Sequence, residues 1–116
     1  MNFRRNRKGQ SKRYGNVKVE HDGYKFDSKK ERDHYIHLKA MENAGTISHL
    51  VVHPKFEFVH DGKKIGKMTP DFQYFIPSEN RHVVEDVKNP ASRLDTAYRL
   101  RRKMMKVFHN IDIEEI

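Results

Sequence analysis

Two stretches place acids at the ends of apolar runs. Pro70-Asp71 opens Asp71-Phe-Gln-Tyr-Phe-Ile76, and Asp86-Val87-Lys88 closes His82-Val-Val-Glu-Asp-Val-Lys88. Carboxylates beside valines and phenylalanines lose hydration that a salt bridge seldom restores in full, and a divalent cation is the natural way to satisfy such a cluster. Side chains alternate along a strand, so Asp86 and Lys88 share a face with Val84, while Glu85 lies opposite with Val83 and Val87. On that face Glu85 is a supporting or surface group unless a bulge turns it inward. A third acid comes from a helix start. Ser28-Lys-Lys-Glu31 has the spacing of a capping box, and Glu31, Tyr35 and Leu38 recur at i, i+4 and i+7, which points Glu31 inward. Glu31, Asp71, Asp86 and Lys88 could then meet at one end of a sheet. That hard-oxygen donor set suits Mg²⁺, with Mn²⁺ as a substitute.

Several elements must position these residues. Residues 16–20 and 24–27 flank His21-Asp22-Gly23, a hairpin signal, and form a short polar ribbon. A helix follows from the capping box to about Asn43 and stops at Gly45. Residues 46–52 and 56–60 read as strands interrupted by Pro54, and Asp61-Gly62 turns the chain back toward strand 65–68 and the strand after Pro70. Pro77-Ser-Glu-Asn80 makes a turn before strand 83–88, which Asn89-Pro90 ends. A second helix spans about residues 95–109 with Leu100, Met104 and Phe108 along one stripe, and residues 111–116 alternate like a last strand. No internal repeat is visible.

Composition bounds the rest. The chain has 116 residues, enough for one domain with one core, read here as residues 14–116 after a basic and disordered arm at 1–13. Charged residues make up 34 % and the formal net charge is +8, which favours a polyanionic partner such as nucleic acid. Arg4 and Arg5 on the arm, and Arg99, Arg102, Lys103 and Lys106 on the second helix, are the candidate phosphate contacts. With no cysteine there is no disulfide, thiolate zinc site or cysteine nucleophile. The apolar runs are too short to span a membrane and the basic start lacks the apolar core of a signal peptide, so a cytoplasmic protein is expected.

Taken together, the helix acid in Phe26-Asp-Ser-Lys-Lys-Glu31, the Pro70-Asp71 pair and Glu85-Asp86-Val87-Lys88 resemble the PD-(D/E)XK nuclease superfamily, especially its small phage-type and Holliday-junction-resolvase-like members. Gly45-Thr-Ile-Ser-His-Leu50 and Phe56-Glu-Phe58 also look like the phage-type members. The resemblance covers roughly residues 24–108. It implies an α/β restriction-endonuclease-like core, a central mixed β-sheet flanked by two helices, behind an N-terminal basic arm. It further implies metal binding by Glu31, Asp71, Asp86 and the Val87 carbonyl, with Lys88 positioning or activating the attacking water. The activity implied is Mg²⁺-dependent endonucleolytic hydrolysis of DNA, selective for junctions or branches, in a phage or mobile-element context. Symmetric cutting would call for a homodimer, which the sequence leaves open.

The pattern Asp-x-Lys recurs at Asp27-Ser-Lys29 and Asp61-Gly-Lys63, but only Asp86 to Lys88 closes an apolar strand. Blander roles stand beside each functional one. Glu31 could cap its helix, Asp71 could simply start a strand, and Asp86 with Lys88 could be an ion pair worth little to stability. His34 and His37 neighbour each other on the helix, and His49 and His53 bracket a strand end, yet no further ligand falls at zinc spacing. Tyr74, Tyr98 and the phenylalanines read as core. The chief rival is a non-catalytic DNA-binding or assembly subunit with a nuclease-like core; another is a basic structural or RNA-binding protein.

Overall fold

The computed structural model describes residues 17–89 and 95–116. The arm with Arg4 and Arg5, and the strand-ending Pro90, lie outside the described residues. The fold is α/β, with a mixed sheet and two helices. By internal contacts the chain divides into two compact units, the first reaching to His37 and the second spanning Leu38–Ile116, with helix α1 (Lys29–Asn43) contributing to both.

In the first unit β1 (Val19–His21) and β2 (Tyr24–Phe26) form an antiparallel hairpin. Its turn holds Asp22 and Gly23 at φ 52° and 81°. Positive φ at both central residues gives the turn twist that matches right-handed strands, which is why Asp-Gly occurs there. Helix α1 begins as the sequence indicates: Ser28 Oγ accepts from the Glu31 amide at 3.1 Å. Glu31, Tyr35 and Leu38 are all buried, so that stripe does face inward. At its far end, within the second unit, Gly45 (φ 83°) donates to the Glu42 carbonyl and Thr46 to the Met41 carbonyl, closing a Schellman cap. That cap takes Thr46 out of the following strand, so β3 is Ser48–Val52 and shorter than expected.

The second unit carries a four-stranded sheet in the order β3-β6-β7-β8, where β6 is Phe72–Ile76, β7 is Arg81–Asp86 and β8 is Glu114–Glu115. A separate hairpin joins β4 (Phe56–His60) to β5 (Lys63–Met68) through Asp61-Gly62. Strands β3, β6 and β7 are antiparallel neighbours; β8 runs parallel to β7. Parallel neighbours need a crossover, and α2 (Thr96–His109) supplies it. Asp95 caps α2 by accepting from the Ala97 amide at 3.0 Å.

Phe58, Met68, Val84, Tyr98, Met105 and Ile113 form the core beneath α2. One expectation is corrected here. Met104 and Phe108 pack at the edge of this core, but Leu100 is 57 % exposed, and the stripe that faces inward is Tyr98 and Met105, at 2 % and 0 % exposure. Burying the Tyr98 ring and Met105 removes more apolar area from water than burying Leu100 would, and the helix is rotated accordingly. The expected last strand is likewise narrower. Asn110 caps α2 in a left-handed conformation (φ 58°), and the Ile111 amide returns to the Met105 carbonyl, leaving only Glu114–Glu115 to pair. No helix among the described residues is long and apolar enough to cross a membrane.

Candidate functional site

Within the second unit, the ends of β6 and β7 bring Asp71, Asp86, Val87 and Lys88 to one corner. The Asp71 amide donates both to the Glu85 carbonyl and to Asp86 Oδ1, each at 3.0 Å. In return Asp71 Oδ2 accepts from the Val87 amide at 2.7 Å. Each acid is thus tied to the strand that carries the other. The preceding Pro70 is fully buried and fixes the entry of the chain. Beyond Asp86 the pairing continues as Ile116 N–H to the Asp86 carbonyl at 2.9 Å and Lys88 N–H to the Ile116 carbonyl at 3.1 Å. Those two bonds point toward β8 and the Val87 amide points toward Asp71. In extended backbone the N–H and C=O of one residue share an edge, so the Val87 carbonyl projects to the Asp71 side as well.

Asp86 is 3 % exposed, and burial pushes its carboxyl above the usual range, opposed by the Lys88 charge, by its bond from the Asp71 amide and by Tyr98. Among the described residues the buried charged side chains are Glu31, Glu85 and Asp86, all acids. Lys88 is the nearby counter-charge, its ammonium lying 4.1 Å from the centroid of the Tyr98 ring. Burial and the neighbouring Asp86 charge push the Tyr98 phenol well above its ordinary range.

Glu85 lies on the opposite face, as alternation requires. It is 5 % exposed and accepts a hydrogen bond from the Tyr74 hydroxyl, so the surface role is excluded and the group is a buried support. Burial and this carboxylate push the Tyr74 phenol far above its usual value.

Glu31 belongs to the first unit. It caps α1, but the amide its Oε1 reaches is that of Asp27, at 2.8 Å, one residue earlier than a standard capping box provides. At 3 % exposure Glu31 is buried more deeply than a glutamate usually is.

Three further groups lie at or beside this corner: His53, which the sequence offered only with His49 as a zinc candidate, Glu115, which it did not single out, and Tyr98, which it read as core. His53 donates its amide to the Asp71 carbonyl at 2.9 Å, and one of its ring nitrogens lies within 4.8 Å of an Asp71 carboxylate oxygen. Glu115 is in register with Asp86 and bonds Arg102 Nη1 at 3.2 Å. Tyr98 carries Lys88 on its ring. The alternation Ile113, Glu115 could have revealed the second of these, because Ile113 is buried and i+2 shares its face. No sequence spacing links His53 to Asp71; only the pairing of β3 with β6 does.

The four helix cations chosen from sequence, Arg99, Arg102, Lys103 and Lys106, do line one groove, together with Asp112 and Ile113. Two of them are already matched, Arg102 by Glu115 and Lys106 by Asp112 at 3.0 Å. Arg99 and Lys103 have no ion pair with any described residue.

The family described as "Protein of unknown function (DUF1064)" matches residues 11–115. The chain belongs to the DUF1064 family. No curated protein and no solved structure matches it. In this DUF1064 chain the matched span includes Glu31, the whole acid corner and the basic groove. The donor set itself is of a kind that could hold a divalent cation: carboxylate oxygens from two interlocked strands and a backbone carbonyl on the same edge.

Proposed function

We propose that this DUF1064 protein is a metal-dependent endodeoxyribonuclease, with its cation held by Asp71, Asp86 and the Val87 carbonyl. Glu31 enters as a further ligand on the sequence resemblance to PD-(D/E)XK nucleases. The observation that carries the reading is the interlock of Asp71 and Asp86, two acids fixed through each other's backbone at a strand end beside Lys88. Bound there, Mg²⁺ or Mn²⁺ would polarise a phosphodiester and lower the pKa of a water.

The chain's own residues have separable tasks. Asp71 and Asp86 hold position through amide hydrogen bonds, so little reorganisation is required when the cation enters. Lys88 offers a positive charge that offsets the negative charge growing on the phosphoryl oxygens, and Tyr98 steadies that ammonium from below. Arg99 and Lys103 contact the DNA backbone in the groove of α2, and the basic arm with Arg4 and Arg5 adds further phosphate contacts. Phosphate contacts of this kind carry no base sequence, which favours selection by DNA shape, such as a junction or branch.

The test is a panel of linear, branched and single-stranded DNA and RNA incubated with Mg²⁺ or Mn²⁺, with Asp86→Ala and Lys88→Ala alongside. Cleavage of DNA that needs the metal and both residues supports the reading. DNA binding without cleavage of any substrate would instead identify a non-catalytic DNA-binding subunit.

A further inference from the structure

Resting on the metal reading above, we propose that His53 supplies an imidazole ligand to the same cation, and that the site therefore favours Mn²⁺ over Mg²⁺. His53 is joined to Asp71 twice, by its amide on the Asp71 carbonyl at 2.9 Å and by a ring nitrogen within 4.8 Å of the Asp71 carboxylate. Two ligand bonds of about 2.0–2.2 Å set donors on one ion at most about 4.4 Å apart, so a pair at the outer limit of 4.8 Å closes by a few tenths of an ångström when the ion enters.

The backbone at His53 is unusual. Its φ is 55°, the left-handed region that a non-glycine residue seldom adopts, and the following Pro54 is buried. The residue itself is half-buried. His49, four residues earlier, is also left-handed, but its ring bonds Ser48 Oγ at 2.9 Å and is exposed. The two histidines thus have different surroundings despite similar backbone.

The consequence concerns which ion is used. Mg²⁺ demands near-octahedral oxygen coordination and keeps several waters, whereas an imidazole nitrogen is accepted more readily by Mn²⁺ and later transition ions. A purely carboxylate and carbonyl site would discriminate less between the two. With His53 included, the ion is held by acids that supply charge and by a neutral nitrogen that supplies selectivity.

The experiment loads the full chain with substoichiometric Mn²⁺ and records electron spin-echo modulation, using wild type, wild type labelled with ¹⁵N-histidine, His53→Gln and Asp71→Asn. Magnesium and manganese affinities are measured on the same samples by calorimetry. Expected are a ¹⁴N coupling in wild type that changes to ¹⁵N on labelling and disappears in His53→Gln, with manganese affinity reduced at least about tenfold and magnesium affinity affected less. Circular dichroism and Tm control the folding of His53→Gln, and the isotope experiment needs no substitution. Manganese bound in wild type and lost in Asp71→Asn, but without nitrogen coupling, overturns this proposal and leaves the metal reading standing. Coupling that persists in folded His53→Gln assigns the nitrogen to another histidine and also overturns it. No manganese binding at all removes both.

Discussion

Asp86 Oδ1 accepts the Asp71 amide at 3.0 Å while Asp71 Oδ2 accepts the Val87 amide at 2.7 Å, so the two carboxylates clamp each other's strands. In most proteins a carboxylate this deeply placed would be matched by a buried cation. Here the matching charge is Lys88, drawn onto the face of Tyr98.

This arrangement makes Asp86 a cost to the metal-free fold. Burial raises its folded-state pKa above the unfolded value, so between those two values the folded chain binds more protons and stability falls as pH rises. Asp86→Asn should therefore raise the metal-free Tm at neutral pH, with the gain disappearing below about pH 4, where the acid is protonated in both states. Wild-type metal affinity should correspondingly rise with pH through the mildly acidic range, and thermal melts in chelator from pH 3 to 8 beside metal titrations check both signs.

Glu85 separates structure from chemistry. Tyr74→Phe removes a hydroxyl donor from this buried carboxylate and should cost about 1.5–3 kcal/mol of stability, the range for hydrogen bonds to charged groups. Metal affinity should be unaltered, because Glu85 faces away from Asp86. Urea unfolding and calorimetry on the same variant measure the two effects.

The basic groove should divide into two pairs. Arg99→Ala and Lys103→Ala should each reduce the slope of log K against log salt by about 0.9 for duplex DNA, one phosphate contact apiece. Arg102→Ala and Lys106→Ala should reduce it less, since Glu115 and Asp112 already neutralise those cations. Binding isotherms at several salt concentrations would show equal losses at all four positions if the groove does not discriminate in this way.

Packing under α2 gives a contrast unrelated to the site. Met105→Ala should cost about 2–5 kcal/mol, whereas Leu100→Ala, at an exposed position, should stay within about 0.5 kcal/mol. Chemical denaturation of the two variants measures this directly.

Much of the fold was legible because local signals agreed with one another. Both Asp-Gly turns, the Ser28 cap and the Gly45 stop have strong backbone reasons, and the buried stripe Glu31, Tyr35, Leu38 follows from helical spacing. The face of α2 was harder. Its apolar residues fall on two overlapping stripes, and only the packing of Tyr98 and Met105 against Phe58 and Val84 decides between them. At the candidate site, the neighbourhood of Asp71, Asp86 and Lys88 was legible from charge placed at the ends of apolar runs. Glu115 and His53 were not chosen, because their proximity depends on strand neighbours far apart in sequence: β8 pairing with β7, and β3 with β6. Glu85 was legible as to face but not as to burial, which its bond with Tyr74 makes tolerable.

The most direct measurement is the single-turnover rate of DNA phosphodiester cleavage in Mg²⁺ or Mn²⁺ for wild type, Asp71→Asn and Asp86→Asn, each shown to be folded. The account predicts cleavage by wild type that chelator abolishes, and a loss of at least about 100-fold in each variant, the size expected when a preorganised electrostatic group is removed. Equal rates in all three proteins, or cleavage indifferent to chelator, would contradict it.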